Sequence, residues 1–162
     1  VGSGGLEPLP VESGHRIDLE PGVFLEVLSP LPERSRFPSS DVNNNAVVLR
    51  LVYRDISILL ASDIEAEAEA RITGGGTVLT SDVLKVSHHG SQTSSTLGFL
   101  KRVDPELAVI SVGRGNRFGH PDAEVVKRLT EQVGGAGIYR TDRNGDVEFI
   151  TDGTELWVDT DR

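Results

Sequence analysis

A chain of 162 residues, 37% apolar and 25% charged, is long enough for one domain with a true core; a chain of this size buries roughly 70% of its unfolded surface. It has no cysteine, which excludes disulfides, thiolate metal sites and cysteine nucleophiles. A net charge of −9 has the wrong sign for a nucleic-acid binder that works through a broad basic surface, whereas carboxylates clustered to receive metal cations would add to the same excess.

No apolar run approaches the roughly 18 residues of a membrane span. No signal-peptide pattern is visible, and residue 1 is Val. The sequence therefore reads as a processed product or an excised piece, and targeting cannot be read from it. Residues 1–14, rich in Gly, Pro and Ser, read as a leader or linker, and 15–162 as the domain. His15 to Leu19 fits a short edge strand, and Val23 to Leu28 a strand closed by Ser29-Pro30. Residues 33–45, with Pro38, Ser39, Ser40 and Asn43-Asn44-Asn45, form a long polar loop of the kind that carries function or moves.

Ala46 to Tyr53 and Ile56 to Ala61 are strands separated only by Arg54-Asp55, which predicts a tight antiparallel hairpin. The continuous apolar run Ile58-Leu59-Leu60-Ala61 predicts a strand covered on both faces. Ile64 to Ile72 predicts a helix ended by Gly74-Gly75-Gly76, with Glu65, Glu67 and Glu69 on its solvated side. Asp82 to Val86 is a short strand that runs into Ser87-His88-His89-Gly90-Ser91, and a short helix follows from Ser95 to Val103, with Ser94 or Ser95 as its N-cap. Leu107 to Val112 is a buried strand entering the loop Gly113 to His120; Pro121 then takes the first helical position before the apolar face Val125, Val126, Leu129 and Val133. Gly137 to Thr141, Val147 to Thr151 and Glu155 to Val158 predict a closing antiparallel meander turned at Asn144-Gly145 and Asp152-Gly153. The class is α/β, with antiparallel ribbons at the ends.

Three strand ends collect the unusual polar residues: Ser62-Asp63, His88-His89, and His120. If these strands are neighbours, all three loops open on one edge of the sheet. Carboxylate and imidazole together suit zinc, manganese or iron, and such a site hydrolyses esters or phosphodiesters by activating water. Each residue also has a plainer use. Ser62-Asp63-Ile64-Glu65 fits a capping box; His120, before Pro121, fits an ordinary extended turn residue; Asn43 to Asn45 fits a polar turn. His15 is isolated and receives no role.

The order of these elements, with Asp82 to Ser91 containing His-His-Gly-Ser and Asn116-Arg117-Phe118-Gly119-His120-Pro121 after Ile110-Ser111-Val112-Gly113, resembles the metallo-β-lactamase-like domain of ComEC-type competence proteins, the DNA-internalisation channels of transformable bacteria. The likeness covers roughly residues 15 to 153, and the two motifs are specific in combination. It implies the C-terminal part of an αββα sandwich. It implies Asp63, His88 and His120 as metal-ligating and catalytic residues, with His89 as the alternative to His88, and Lys85, Ser91, Asn116 and Arg117 on the substrate side. A divalent cation, manganese or zinc, would be the cofactor, held weakly or not at all by this piece alone. DNA, the parent's membrane channel and the missing N-terminal half of the domain would be its partners, and the domain would be a soluble part of an inner-membrane protein on the extracytoplasmic side. Three departures bear on this. The superfamily's His-x-His-x-Asp-His motif is absent, Ser62 stands where Gly usually precedes the aspartate, and Ala46 stands where Ser commonly follows the Asn. The alternatives are a non-catalytic sandwich that binds DNA or a partner, and an unrelated α/β binding module whose histidine loops cap helices.

Overall fold

Consecutive hairpins build one half of the sheet and helical crossovers between parallel strands build the other. The computed structural model describes residues 8–32, 36–38 and 41–162. The first seven residues of the expected leader, and Ser39 and Ser40 of the long polar loop, lie outside the described residues, as do 33–35. Strands β1 (Arg16–Glu20), β2 (Val23–Ser29), β3 (Val48–Tyr53) and β4 (Ile56–Leu60) pair antiparallel in succession. Ahead of β1, the amides of Ser13 and Gly14 already donate to the carbonyls of Pro30 and Val27, which ties this stretch to β2. Arg54, with φ 53°, makes the tight turn between β3 and β4.

From β4 onward the connections are helical: α1 (Ala66–Gly74) leads to β5 (Val83–Lys85), α2 (Leu97–Val103) to β6 (Leu107–Ile110), and α3 (Ala123–Val133) to β7 (Ile138–Arg140). β5, β6 and β7 each pair parallel with the preceding strand, so the seven strands lie in sequence order. Crossovers of one hand between strands that advance in one direction must all fall on one face. The core records this: Ala68 and Ile72 of α1, Phe99, Leu100 and Val103 of α2, and Val125 and Leu129 of α3 pack with Leu59, Leu84, Ala108 and Ile110 of the sheet. Burying each large side chain of this layer stabilises the fold by about 1.5–3 kcal/mol.

The opposite face is only partly covered. Leu60, in register with Leu49 and Lys85, is 37% exposed, so the apolar run of β4 does not mean cover on both faces. A single helical turn, α4 (Thr141–Asn144), precedes a separate two-stranded sheet, β8 (Val147–Thr151) with β9 (Leu156–Thr160). This hairpin reaches the open face through an edge-to-face contact of Phe149 with Tyr139, and through the amide of Asp55 and a guanidinium nitrogen of Arg54 donating to the carbonyls of Gly153 and Asp152. Among the described residues, no helix is long and apolar enough to cross a membrane.

Two local expectations are corrected. Of the closing meander only the β8–β9 hairpin, with Asp152-Gly153 between its strands, forms: β7 joins the main sheet beside Ala108–Ile110, and Asn144-Gly145 ends a helical turn instead of a hairpin. Pro121 is not the first residue of α3; Asp122 is the N-cap, its carboxylate accepting the amide of Glu124 at 2.8 Å, so Pro121 stands outside the helix.

Candidate functional site

β4, β5 and β6 are adjacent and parallel, so the loops after them share one edge of the sheet. Each of the first two leaves its strand through left-handed backbone. Ser62 has φ 52°, and His88, His89 and Gly90 follow one another at 46°, 55° and 79°. Non-glycine residues are uncommon there, each costs about 1–2 kcal/mol, and such strain concentrates at functional sites. The positive φ of Ser62 is a conformation that glycine adopts without strain. The left-handed run at 88–90 projects the two imidazoles in different directions. The amide of His88 and the ammonium of Lys85 both donate to the carbonyl of Ser62, at 3.0 and 3.3 Å, which joins the first loop to the second. Burial lowers the Lys85 pKa, with the nearby Asp63 carboxylate pulling it back up.

His89 is the better oriented of the pair. Its Nδ1–H donates to the carbonyl of Ser111 at 2.6 Å, and its Nε2 stands 3.7 Å from Asp63 Oδ1. A backbone carbonyl on one ring nitrogen fixes the tautomer and leaves the other as a lone pair, the arrangement used by metal-ligating histidines. His88 turns inward: its Nδ1 lies 3.4 Å from Glu65 Oε1 but off the hydrogen-bond direction, so it is buried without a hydrogen-bond partner. The ring of His120 is 5.9 Å from that of His88. Asp63, Glu65, His88, His89 and His120 thus occupy one edge as carboxylate–imidazole pairs beside a third imidazole; among the described residues no three are already drawn around one point.

The third loop is held shut by Asn116, whose side-chain amide donates to the carbonyl of His120 at 2.7 Å and whose oxygen accepts the amide of His120 at 3.0 Å. Gly90 is where the second and third loops touch: a Cβ there would lie 2.6 Å from Pro121 Cβ, and the amide of Asp122 donates to the Gly90 carbonyl. A cavity of about 400 Å³ opens beside this junction, with His89, Val112, Asn116, Phe118 and His120 among its walls.

Several residues serve otherwise than the sequence led one to expect. The capping box at Ser62–Glu65 does not form; Glu65 is the N-cap of α1 without a side-chain bond, and Asn44, only 6% exposed, supplies the cap from the polar loop by accepting the amides of Glu65 and Ala68. Asn43 donates to Glu65 at 3.4 Å, which brings that loop to the rim beside His88. Ser91 is buried and bonded to Thr93 Oγ1, so its hydroxyl supports the loop. The N-cap of α2 is Thr96, accepting the amide of Phe99, while Ser94 donates to the carbonyl of Ile64. Arg117 is exposed, with its guanidinium 5.5 Å from the Phe118 ring centre.

Glu67 is exposed as the solvated face expects, but Glu69 is not part of that face. It is fully buried and accepts the amides of Ser95 and Thr96 at 2.5 and 2.8 Å and the hydroxyl of Ser87 at 3.3 Å. Burial raises its pKa against the opposing pull of these donors. It thereby clamps both ends of the loop that carries His88 and His89 onto α1. The available signal was that Glu69 directly follows Ala68, and Ile64, Ala68 and Ile72 mark the buried helix side.

No family model matches the chain. It is 36% identical over 107 residues to ComE operon protein 3 of Bacillus subtilis (strain 168), covering 66% of this chain and 14% of that protein. It is 38% identical over 130 residues to Competence protein ComA of Neisseria gonorrhoeae, covering 79% of this chain and 18% of that protein. It is 36% identical over 111 residues to Recombination protein 2 of Haemophilus influenzae, covering 67% and 13%. The chain belongs to the ComEC-type family of competence proteins, whose curated members it matches over less than a fifth of their length.

Proposed function

We propose that this chain is part of the metallo-β-lactamase-like domain of a competence protein that takes up DNA, and that its cleft hydrolyses phosphodiester bonds of a DNA strand with a divalent cation. The observation that carries this is His89, whose Nδ1–H is committed to Ser111 while Nε2 faces Asp63 across 3.7 Å. The donor set fits zinc or manganese: imidazole and carboxylate are the ligand types these ions accept. Asp63 and His89 would hold the ion, with His88, whose Nδ1 is buried and unbonded, and His120 as the neighbouring imidazoles. A tetrahedral site takes about four donors, and in this reading the segment preceding the chain completes the set and covers the open face of the sheet. The ion would supply Lewis-acid activation of water near neutral pH.

The protein's own groups do the rest. The Ser111 carbonyl sets the orientation of His89, Lys85 brings positive charge to the Ser62–Asp63 turn, and Arg114 and Arg117 offer guanidinium groups to phosphate at the rim. The domain would be attached to a membrane channel and stand outside the membrane on the extracytoplasmic side. The test is manganese-dependent cleavage of a single-stranded oligonucleotide by the complete protein that carries this sequence, with transformation frequency measured in parallel. Asp63→Ala should abolish cleavage; full cleavage by that variant removes the hydrolase reading.

A further inference from the structure

The third loop presents a feature that hydrolysis does not require. Phe118 is 72% exposed at the wall of the cavity of about 400 Å³, a volume within the range of small-ligand pockets. A single exposed aromatic on a surface needs no explanation, but this one is built in. Its ring lies nearly parallel to that of His120, with 6.1 Å between centres and 16° between planes. The backbone of His120 is in turn held by both groups of the Asn116 side chain. The loop, with its backbone held, therefore presents an aromatic ring to solvent instead of folding it into the core.

Cations flank it. The Arg117 guanidinium is 5.5 Å from the ring centre. Arg114 is steered by one bond from Nε to the carbonyl of Asp142 and lies in the same loop. In a chain of net charge −9, two arginines within four residues of an exposed aromatic bring positive charge to this loop. An aromatic platform flanked by guanidinium groups is the chemistry that holds single-stranded nucleic acid: the ring stacks on a base, which every base permits, and the cations meet the phosphates. A base inside a duplex has no free face to offer.

We infer that Phe118 is a stacking platform for an unpaired base of a DNA strand, placed beside His120 so that the adjoining phosphate lies toward the Asp63–His89 edge. Unpaired DNA as the occupant rests on the DNA-handling reading of the cleft, and binding alone separates the two.

The experiment is a calorimetric titration of the chain in EDTA with a short oligothymidine, with an abasic oligonucleotide carrying the same phosphates, and with a duplex. Oligothymidine should bind with a dissociation constant on the order of tens of micromolar, about tenfold tighter than the abasic strand. Phe118→Ala should bring oligothymidine to the abasic level, and Phe118→Trp should keep the preference. Circular dichroism checks that both variants are folded. Equal affinities for the two strands, or an unchanged oligothymidine affinity in Phe118→Ala, would overturn the platform and leave Phe118 as a contact for another protein segment. Tighter binding of duplex than of oligothymidine would also overturn it. Base preference that persists in EDTA while the complete protein shows no manganese-dependent cleavage upholds the platform and removes the hydrolase.

Discussion

Glu69 of α1 accepts the backbone amide of Ser95 at 2.5 Å, a bond between residues 26 apart in sequence. Together with the Thr96 amide at 2.8 Å, it makes one buried carboxylate the anchor of the histidine loop. Glu69→Ala leaves both amides inside the protein without an acceptor and should cost about 2–4 kcal/mol, read from the midpoint of urea unfolding. A loss below the precision of that measurement would show that water replaces the carboxylate.

The same group sets a pH dependence. Burial raises the folded pKa of Glu69, so the native state binds the proton more tightly than the unfolded chain does. Its contribution to stability is then full below the ordinary glutamate pKa and is lost as pH rises through the raised folded value. Glu69→Gln should flatten that part of the stability–pH curve while lowering its height. A curve of unchanged slope would assign the dependence to another carboxylate.

Gly90 makes the second and third loops one unit. In Gly90→Ala the new Cβ would meet Pro121 Cβ at 2.6 Å, at a φ of 79° that disfavours any side chain. Strain and overpacking together should cost about 2–4 kcal/mol, measurable as a fall in Tm. Retention of the parent Tm would mean that the loops part freely.

Metal affinity should follow His89. Equilibrium dialysis against zinc should give substoichiometric binding by the chain, and His89→Ala should weaken it at least about tenfold, the loss that follows even from disturbing a ligand's supporting bond. Stoichiometric binding that survives both His89→Ala and Asp63→Ala would place the metal elsewhere.

DNA binding should be local and salt-sensitive. Single strands lose affinity with a slope of about 0.7 per phosphate contacted in log–log form, so contacts from Lys85, Arg114 and Arg117 predict a slope near about −2. Arg117→Ala should reduce its magnitude by about 0.7. A slope near zero would leave phosphate out of the contact.

What was legible in the sequence was whatever local pattern decides. The hairpin of β3 and β4, the apolar strand β6 and the amphipathic face of α3 follow from residue order, and the polar ends of β4, β5 and β6 marked the edge where Asp63, His89 and His120 stand. What was hidden depended on partners distant in sequence. Three residues of β7 carry no signal of whether they pair parallel with β6 or antiparallel with β8. Glu69 reads as a surface residue until the amides of Ser95 and Thr96 arrive to meet it, and Asn44 reads as turn chemistry until α1 presents its free amides. That His89 and not His88 meets the Ser111 carbonyl depends on left-handed backbone, which is not written in the motif.

The hairpin of β8 and β9 turns Phe149 toward Tyr139 and therefore turns the cross-strand pair Ile150 and Trp157 the other way, leaving them 47% and 50% exposed. Trp157 is the only tryptophan in the chain. Its indole is thus a built-in optical reporter on the outer side of the small sheet: any segment that settles there moves the indole from water to an apolar setting and shifts the emission of the whole protein to the blue, without a label and without a background to subtract.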